Sequence, residues 1–372
     1  MNSRDIRLDT LRGCFLLLMA AVHVPTPVSH ALQEPLGCNG AAEGFIFLSA
    51  CLAGLVYGRR YMRTDWGEMS GRVWGRVKWI YLVHVALLLP IALIAWMFSD
   101  RVAPFANHFH DFLVHPWGAL ALMPLLLHQP PLFDILPLYI IFLGITPFIL
   151  ALARRCGWAG VLGVSALIWL VVQGRLDARV VGDPSRWLPL QLGSFDLLAW
   201  QFLWICGVAV GETSLRRPLI SPKLRSGVAA VASCIALTGV LWRHGIWPDA
   251  WSSPQIILWM DKWTLGPLRL LDFAAWAALL MAWNPRPPQL TLAPTALLGR
   301  HSLAVFALHL PLVIAATALI QMFTLSNAAQ TVIGLGVMAL LFPWAAWLDR
   351  RKSARLDADV SFKPPVPPMR MT

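Results

Sequence analysis

Arg12 and His23 stand eleven residues apart in the stretch "RLDTLRGCFLLLMAAVH", residues 7–23. On a helix, eleven steps of about 100° return to within about 20° of the starting direction and climb roughly 16 Å, so the two side chains share one face. A guanidinium is a permanent cation whose planar fork suits phosphate and carboxylate oxygens. An imidazole, with an ordinary pKa near ~6.5, is the side chain best matched to taking a proton from a hydroxyl at neutral pH. One helical face thus offers an anion-binding end and a basic end.

The element that carries this pair lies in a membrane. Hydrophobic residues make up 58% of the 372, charged residues only 13%, and the mean hydropathy is +0.62; soluble chains rarely reach these values. Windows of about 20 residues give ten apolar segments, centred near Leu18, Leu48, Val85, Phe142, Leu167, Trp204, Ala236, Ala278, Leu310 and Ala339. The expectation is an all-α, polytopic integral membrane protein with about ten transmembrane helices. Residues 111–128 are short and bracketed by His and Pro, which reads as an interfacial or re-entrant helix. Basic residues alternate between loops. Arg4, Arg7 and Arg12, then Arg72, Arg76 and Lys78, Arg154 and Arg155, Arg300, and the final "DRRKSAR" all fall on one side, which marks that side, and both termini, as cytoplasmic.

One transmembrane domain spans 1–352, and a Pro-rich tail, 353–372, is too weakly apolar to fold. The net charge of +11 belongs to cytoplasmic loops rather than to nucleic-acid binding. Membrane lipid is the obligatory partner. Six cysteines lack any CxxC spacing and read as packing residues. The basic start followed by an apolar core also fits a secretory signal, but the further spans favour an uncleaved first helix.

If Arg12 marks the cytoplasmic surface, His23 lies near mid-membrane, where an ionisable side chain needs a partner or a wet cavity. The alternative is a snorkelling Arg12 and a His23 that hydrogen-bonds a neighbouring helix. Glu43, one turn inside the second span, suits orienting His23, binding an acceptor, or a structural ion pair. Small residues at Gly40, Gly44, Ala50, Gly54 and Gly58 allow that span to approach another closely, the first helix being one candidate. Arg7, Arg72, Arg76 and Arg300 are further cations at the same rim, suited to phosphate or to lipid headgroups. His309 follows Arg300 by nine residues, half a turn out of phase on a regular helix; it serves either a pocket or an interhelical hydrogen bond. Asp134, Tyr139, Asp196, Gln201, Arg269 and Asp272 fall at outer helix ends, where with Trp117, Trp251 and Trp263 they would form a vestibule. His108, His110 and His115 have no fixed helical ligand spacing, so no metal is expected. A transporter or proton-coupled exporter is the competing class, because intramembrane His and acids also build relays; a non-catalytic membrane subunit that organises a larger complex is a third.

"RLDTLRG" followed by a histidine at this spacing resembles the first helix of acyltransferase-3 membrane proteins. "GAAEGFIFLSACLAGLVYG", "QPPLFDILPLYIIF", "WQFLWICG" and "LGRHSLAVFALH" resemble the OpgC-type branch, the inner-membrane succinyltransferases of osmoregulated periplasmic glucans. "LSA" stands here for the more usual Leu-Ser-Gly, and Asp134 where the wider superfamily has Glu. The resemblance implies transfer of a succinyl group from cytoplasmic succinyl-CoA to a hydroxyl of a periplasmic glucan, in a bacterial inner membrane. The residues that suit this reaction are His23 with Glu43 for catalysis, Arg12, Arg7, Arg72, Arg76 and Arg300 for CoA, and Asp134, Tyr139, Asp196 and His309 for the acceptor.

Overall fold

The computed structural model describes residues 5–98, 109–174, 191–215, 219–246, 253–283 and 287–361. In chain order they form α1 (Ile6–His23), α2 (Pro27–Leu32), α3 (Ala41–Arg63), α4 (Trp66–Phe98), α5 (His110–Val114), α6 (Pro116–Leu122), α7 (Ile135–Gln173), α8 (Leu197–Thr213), α9 (Arg225–Arg243), α10 (Pro254–Trp259), α11 (Pro267–Trp283), a 3-10 turn (Pro287–Leu290), α12 (Ala293–Arg300), α13 (Ser302–Met322) and α14 (Asn327–Ser361). Among the described residues there is no strand; His128 and Gln191 make an isolated bridge.

All ten expected centres fall on helices. Six helices, α3, α4, α7, α9, α13 and α14, are long and apolar enough to cross a membrane. α8 is apolar but shorter, and α1 carries Arg7, Asp9 and Arg12 in its first half. Outward faces bear large apolar side chains, among them Trp79, Trp96, Phe148, Leu167 and Val231, which in water would form patches far beyond those of a soluble monomer.

Local chemistry sets the element ends. Asp5 caps α1 by accepting the Arg7 backbone N–H at 3.0 Å, and α1 stops at His23 because Pro25 follows and Thr26 opens a capping box for α2, with Pro27 in its first turn. The first span is therefore shorter than the apolar run implies, and His23 sits at a helix end. Centres Phe142 and Leu167 belong to two helices that abut at Gly157, whose φ of 74° and ψ of 162° only glycine adopts without strain. The 111–128 segment is two short helices, α5 and α6, neither long enough to span. The last helix runs on to Ser361, past the boundary at 353, while residues 362–372 lie outside the described residues.

Two close helix contacts organise the core. A Cβ on Gly13 would lie 1.8 Å from the Thr295 carbonyl oxygen, and one on Gly299 would lie 1.8 Å from that of Asp9, so α1 and α12 pack backbone to backbone. The small-residue stripe of α3 divides between two neighbours. A Cβ on Gly44 would run into the Phe15 ring of α1, whereas one on Gly54 would lie 2.2 Å from the Val208 carbonyl oxygen of α8 and one on Gly211 of α8 would lie 2.0 Å from that of Cys51. The first helix is thus a partner of the stripe only near the N-terminus of α3. These approaches, with the packing of α13 on α1, bring together the helices that carry the polar residues the sequence singles out.

Candidate functional site

His23, at the end of α1, stacks on His309 of α13 with ring centroids 5.7 Å apart and planes 20° from parallel. His309 is 1% exposed. Its Nδ1 lies 2.6 Å from the Phe306 carbonyl oxygen; a carbonyl only accepts, so Nδ1 carries the hydrogen and Nε2 holds a lone pair. That Nε2 is buried without a hydrogen-bond partner among the described residues. His23 is only half-buried. Rings lead from the pair toward Arg12: Phe306 lies edge-on to His309 at 4.7 Å, Phe45 of α3 stacks on Phe306 at 6.3 Å, and the Arg12 guanidinium lies 6.0 Å from the Phe45 centroid.

Arg12 donates from Nη2 to Ser302 Oγ at 2.5 Å. Both line a cavity of about 650 Å³, with Arg76 and Arg300 at the same charged end and Val83, Leu87, Leu308 and Pro311 along its apolar length. The first residues of α13, Ser302, Leu303 and Ala304, also line it, and that helix start has no side-chain cap, so its partial positive charge adds to the three guanidinium groups. Asp349 of α14 holds the rim, pairing with Arg300 at 3.5 Å and His301 Nε2 at 3.0 Å. Pro311 cannot donate to the Ala307 carbonyl one turn earlier, and both residues border the cavity, which leaves a polar acceptor in its apolar half. His309 is not among the residues that line the cavity; it faces His23 of α1 from α13.

The other rim cations lie apart from this cavity. Arg7 pairs with Asp5 at 2.7 Å, which holds the Asp5 carboxyl below its usual range. Arg72 is largely exposed and pairs with Glu68 at 3.7 Å, one turn away. The sequence reading missed Ser302 and His301. Their signal was "GRHS", a helix end and a helix start in four residues, which also voids the phase comparison between Arg300 and His309 because the two stand on different helices.

Glu43 is fully buried and both its oxygens are engaged: Oε1 with Arg269 at 2.8 Å, Oε2 with the Gly40 N–H at 3.0 Å. Arg269 also binds Glu34 at 2.5 Å and the Met260 carbonyl at 2.9 Å. Of the readings open for Glu43, the structural ion pair is the one the geometry displays. Asp272 accepts from the Cys38 N–H at 2.8 Å and from Asn39 at 2.7 Å; burial, with this carboxylate adding to it, pushes the Cys38 thiol up to about 12, so it stays protonated. Asp196 caps α8 through the Ala199 N–H at 2.8 Å. Asp134, its carboxyl raised by burial, accepts from the Ser194 N–H at 3.0 Å. Gln201 binds Ser165 at 2.7 Å, and Tyr139 packs edge-on against Trp204 at 5.3 Å. The outer polar residues form several separate contacts rather than one vestibule, with Trp117 81% exposed. Trp251 and His108 lie outside the described residues.

An all-helical bundle with apolar outward faces, a cationic cavity and a buried histidine pair is a membrane protein equipped to bind an anionic molecule beside a base. The chain matches the family described as OpgC protein over residues 4–353, nearly its whole length, and belongs to that family. Membership implies an acyltransferase-type enzyme that modifies glucans. No curated protein and no solved structure matches the chain.

Proposed function

We propose that this protein is a membrane O-acyltransferase, with about ten spans and both termini in the cytoplasm of a bacterium, that moves a succinyl group from cytoplasmic succinyl-CoA to hydroxyls of periplasmic glucans. The observation that carries the reading is the stacked pair of His23 and His309, one helix face away from a cavity that joins Arg12, Arg76 and Arg300. The CoA phosphates suit the three guanidinium groups and the start of α13, and the pantetheine arm suits the apolar length of the cavity with its Ala307 carbonyl. His23, the more accessible imidazole, is the base. It takes the proton of the glucan hydroxyl as the oxygen attacks the thioester carbon; the C–S bond breaks as the ester C–O bond forms, and the departing thiolate recovers the proton from the imidazolium. His309, its tautomer fixed by Phe306, offers Nε2 as a second acceptor that orients the hydroxyl. Transfer is direct, without a covalent acyl-enzyme.

The test incubates purified protein in nanodiscs with succinyl-CoA labelled in the succinyl group and an unsubstituted glucan. Ester-linked label on the sugar is the expected result. Label that stays on CoA, with the protein folded and the glucan bound, overturns the reading.

A further inference from the structure

A second cavity, of about 460 Å³, lies where the last turns of α14 pass α12, lined by Leu297 of α12 and by Ala346, Asp349, Arg350, Ser353 and Ala354 of α14. The α14 positions recur at three- and four-residue spacing, which puts them on one face of the helix. Two of them are alanines, and their small side chains leave the space open.

Asp349 is the wall between this hollow and the cationic cavity. Its Oδ2 lies 3.5 Å from Arg300 Nη1 and its Oδ1 lies 3.0 Å from His301 Nε2, and both of those residues line the larger cavity. The side chains of Arg300 and Asp349 are 40% and 36% exposed, so the wall is open to water along its edge. A molecule gripped by Arg300 in one space can continue over that edge into the other.

The larger cavity accounts for only part of the proposed donor. Its guanidinium groups suit a diphosphate and its apolar length a pantetheine arm, but beyond the diphosphate CoA carries a ribose, a 3′-phosphate and an adenine. The smaller hollow has the chemistry for these. Leu297, Ala346 and Ala354 offer apolar cover for a flat base. Arg350 and Ser353 bring donors for a phosphate, and the Asp349 carboxylate accepts from a ribose hydroxyl or the amino group of the base. Arg300 and Arg350 outnumber Asp349, so the hollow still favours an anion. We propose that the hollow between α12 and α14 binds the 3′-phosphorylated adenosine end of the donor, with Arg350 on the 3′-phosphate and the rest of the molecule passing over the pair of Asp349 and Arg300 into the larger cavity; this rests on the reading above that the donor is a cytoplasmic CoA thioester.

The experiment measures equilibrium binding to the full-length protein in phosphatidylcholine nanodiscs, for wild type, Arg350→Gln and Ala354→Trp. Three donors are compared: succinyl-CoA, succinyl-dephospho-CoA, which lacks only the 3′-phosphate, and succinyl phosphopantetheine, which lacks the adenosine as well. Wild type should bind succinyl-CoA about tenfold more tightly than the dephospho donor, and Arg350→Gln should remove most of that difference by weakening the first alone, as loss of a charge-assisted bond requires. Ala354 is exposed, so a tryptophan there fills the hollow from outside the core; it should weaken both nucleotide donors and spare succinyl phosphopantetheine. Succinyl-CoA affinity untouched by either variant overturns the proposal and leaves the hollow to lipid headgroups. Equal weakening of all three donors overturns it too, because disturbed helix packing would not sort donors by their nucleotide. If the variants do not fold, hydrogen exchange of residues 346–355 in the wild type decides: adenosine 3′,5′-bisphosphate should slow it, and no change overturns the proposal. Binding of that bisphosphate without succinyl transfer to glucan would sink the proposed reaction and leave the nucleotide site standing; transfer from succinyl-CoA with affinities indifferent to both variants would do the reverse.

Discussion

At the scale of single residues, three side chains carry distinct expectations. His23→Ala should abolish transfer with the protein still folded, because the proposed chemistry has no other accessible base stacked at that point; turnover near wild type, measured by label on the glucan, removes His23 from the mechanism. Arg12→Lys retains a cation at the membrane rim but not the planar fork that reaches Ser302, so it should weaken succinyl-CoA binding as Arg12→Ala does, by about 1.5–3 kcal/mol where a charge-assisted bond is lost. Equal affinity in all three proteins, read by calorimetry, would reduce Arg12 to an anchor. Glu43 is expected to act on stability. Glu43→Gln strips Arg269 of one of its two carboxylates in a buried place, which should cost toward the lower end of about 3–5 kcal/mol, while replacing Glu43 and Arg269 together by apolar residues should recover much of it. Thermal unfolding distinguishes this from a catalytic role, which would lower turnover at unchanged stability.

At the scale of elements, the glycines make the sharpest contrast. Gly13→Ala must push α1 away from the Thr295 backbone and Gly299→Ala must push α12 away from Asp9; each should destabilise by about 1–3 kcal/mol and also loosen CoA binding, because α12 ends in Arg300. Gly75→Ala, on α4 with open space around it, should be neutral or stabilise by up to about 1 kcal/mol. Comparison of the three melting temperatures checks the argument. The legible part of the fold divides along the same line. Apolar windows found a helix at every expected centre, and helical phase placed Arg12 and His23 on one face, because both are properties of a continuous segment. Contacts between segments were out of reach. Nothing in residue order says that His309 stacks on His23, that Ser302 receives Arg12, or that Glu43 is occupied by an arginine 226 positions away. Phase misled where a helix breaks, at His301 between α12 and α13, and a window centred on Leu18 does not by itself show that α1 ends at His23.

At the scale of the whole molecule, the cavity has a shape with a practical consequence. One end gathers three guanidinium groups and the start of a helix, and the rest is lined by Val83, Leu87, Leu308 and Pro311. A charged head and a greasy stem describe the proposed donor, and they equally describe a phosphocholine detergent or an anionic phospholipid. Surfactants with a phosphate head should therefore occupy the cavity and inhibit in competition with succinyl-CoA, whereas maltosides of equal chain length should not. Initial rates at rising donor concentration would show the difference: inhibition by the phosphate-headed series that excess donor relieves, against inhibition of both series alike if the cavity is no donor site. A preparation in the wrong surfactant would look inactive while being intact, and the lipid around the protein in its own membrane would set how much donor is needed to fill the cavity.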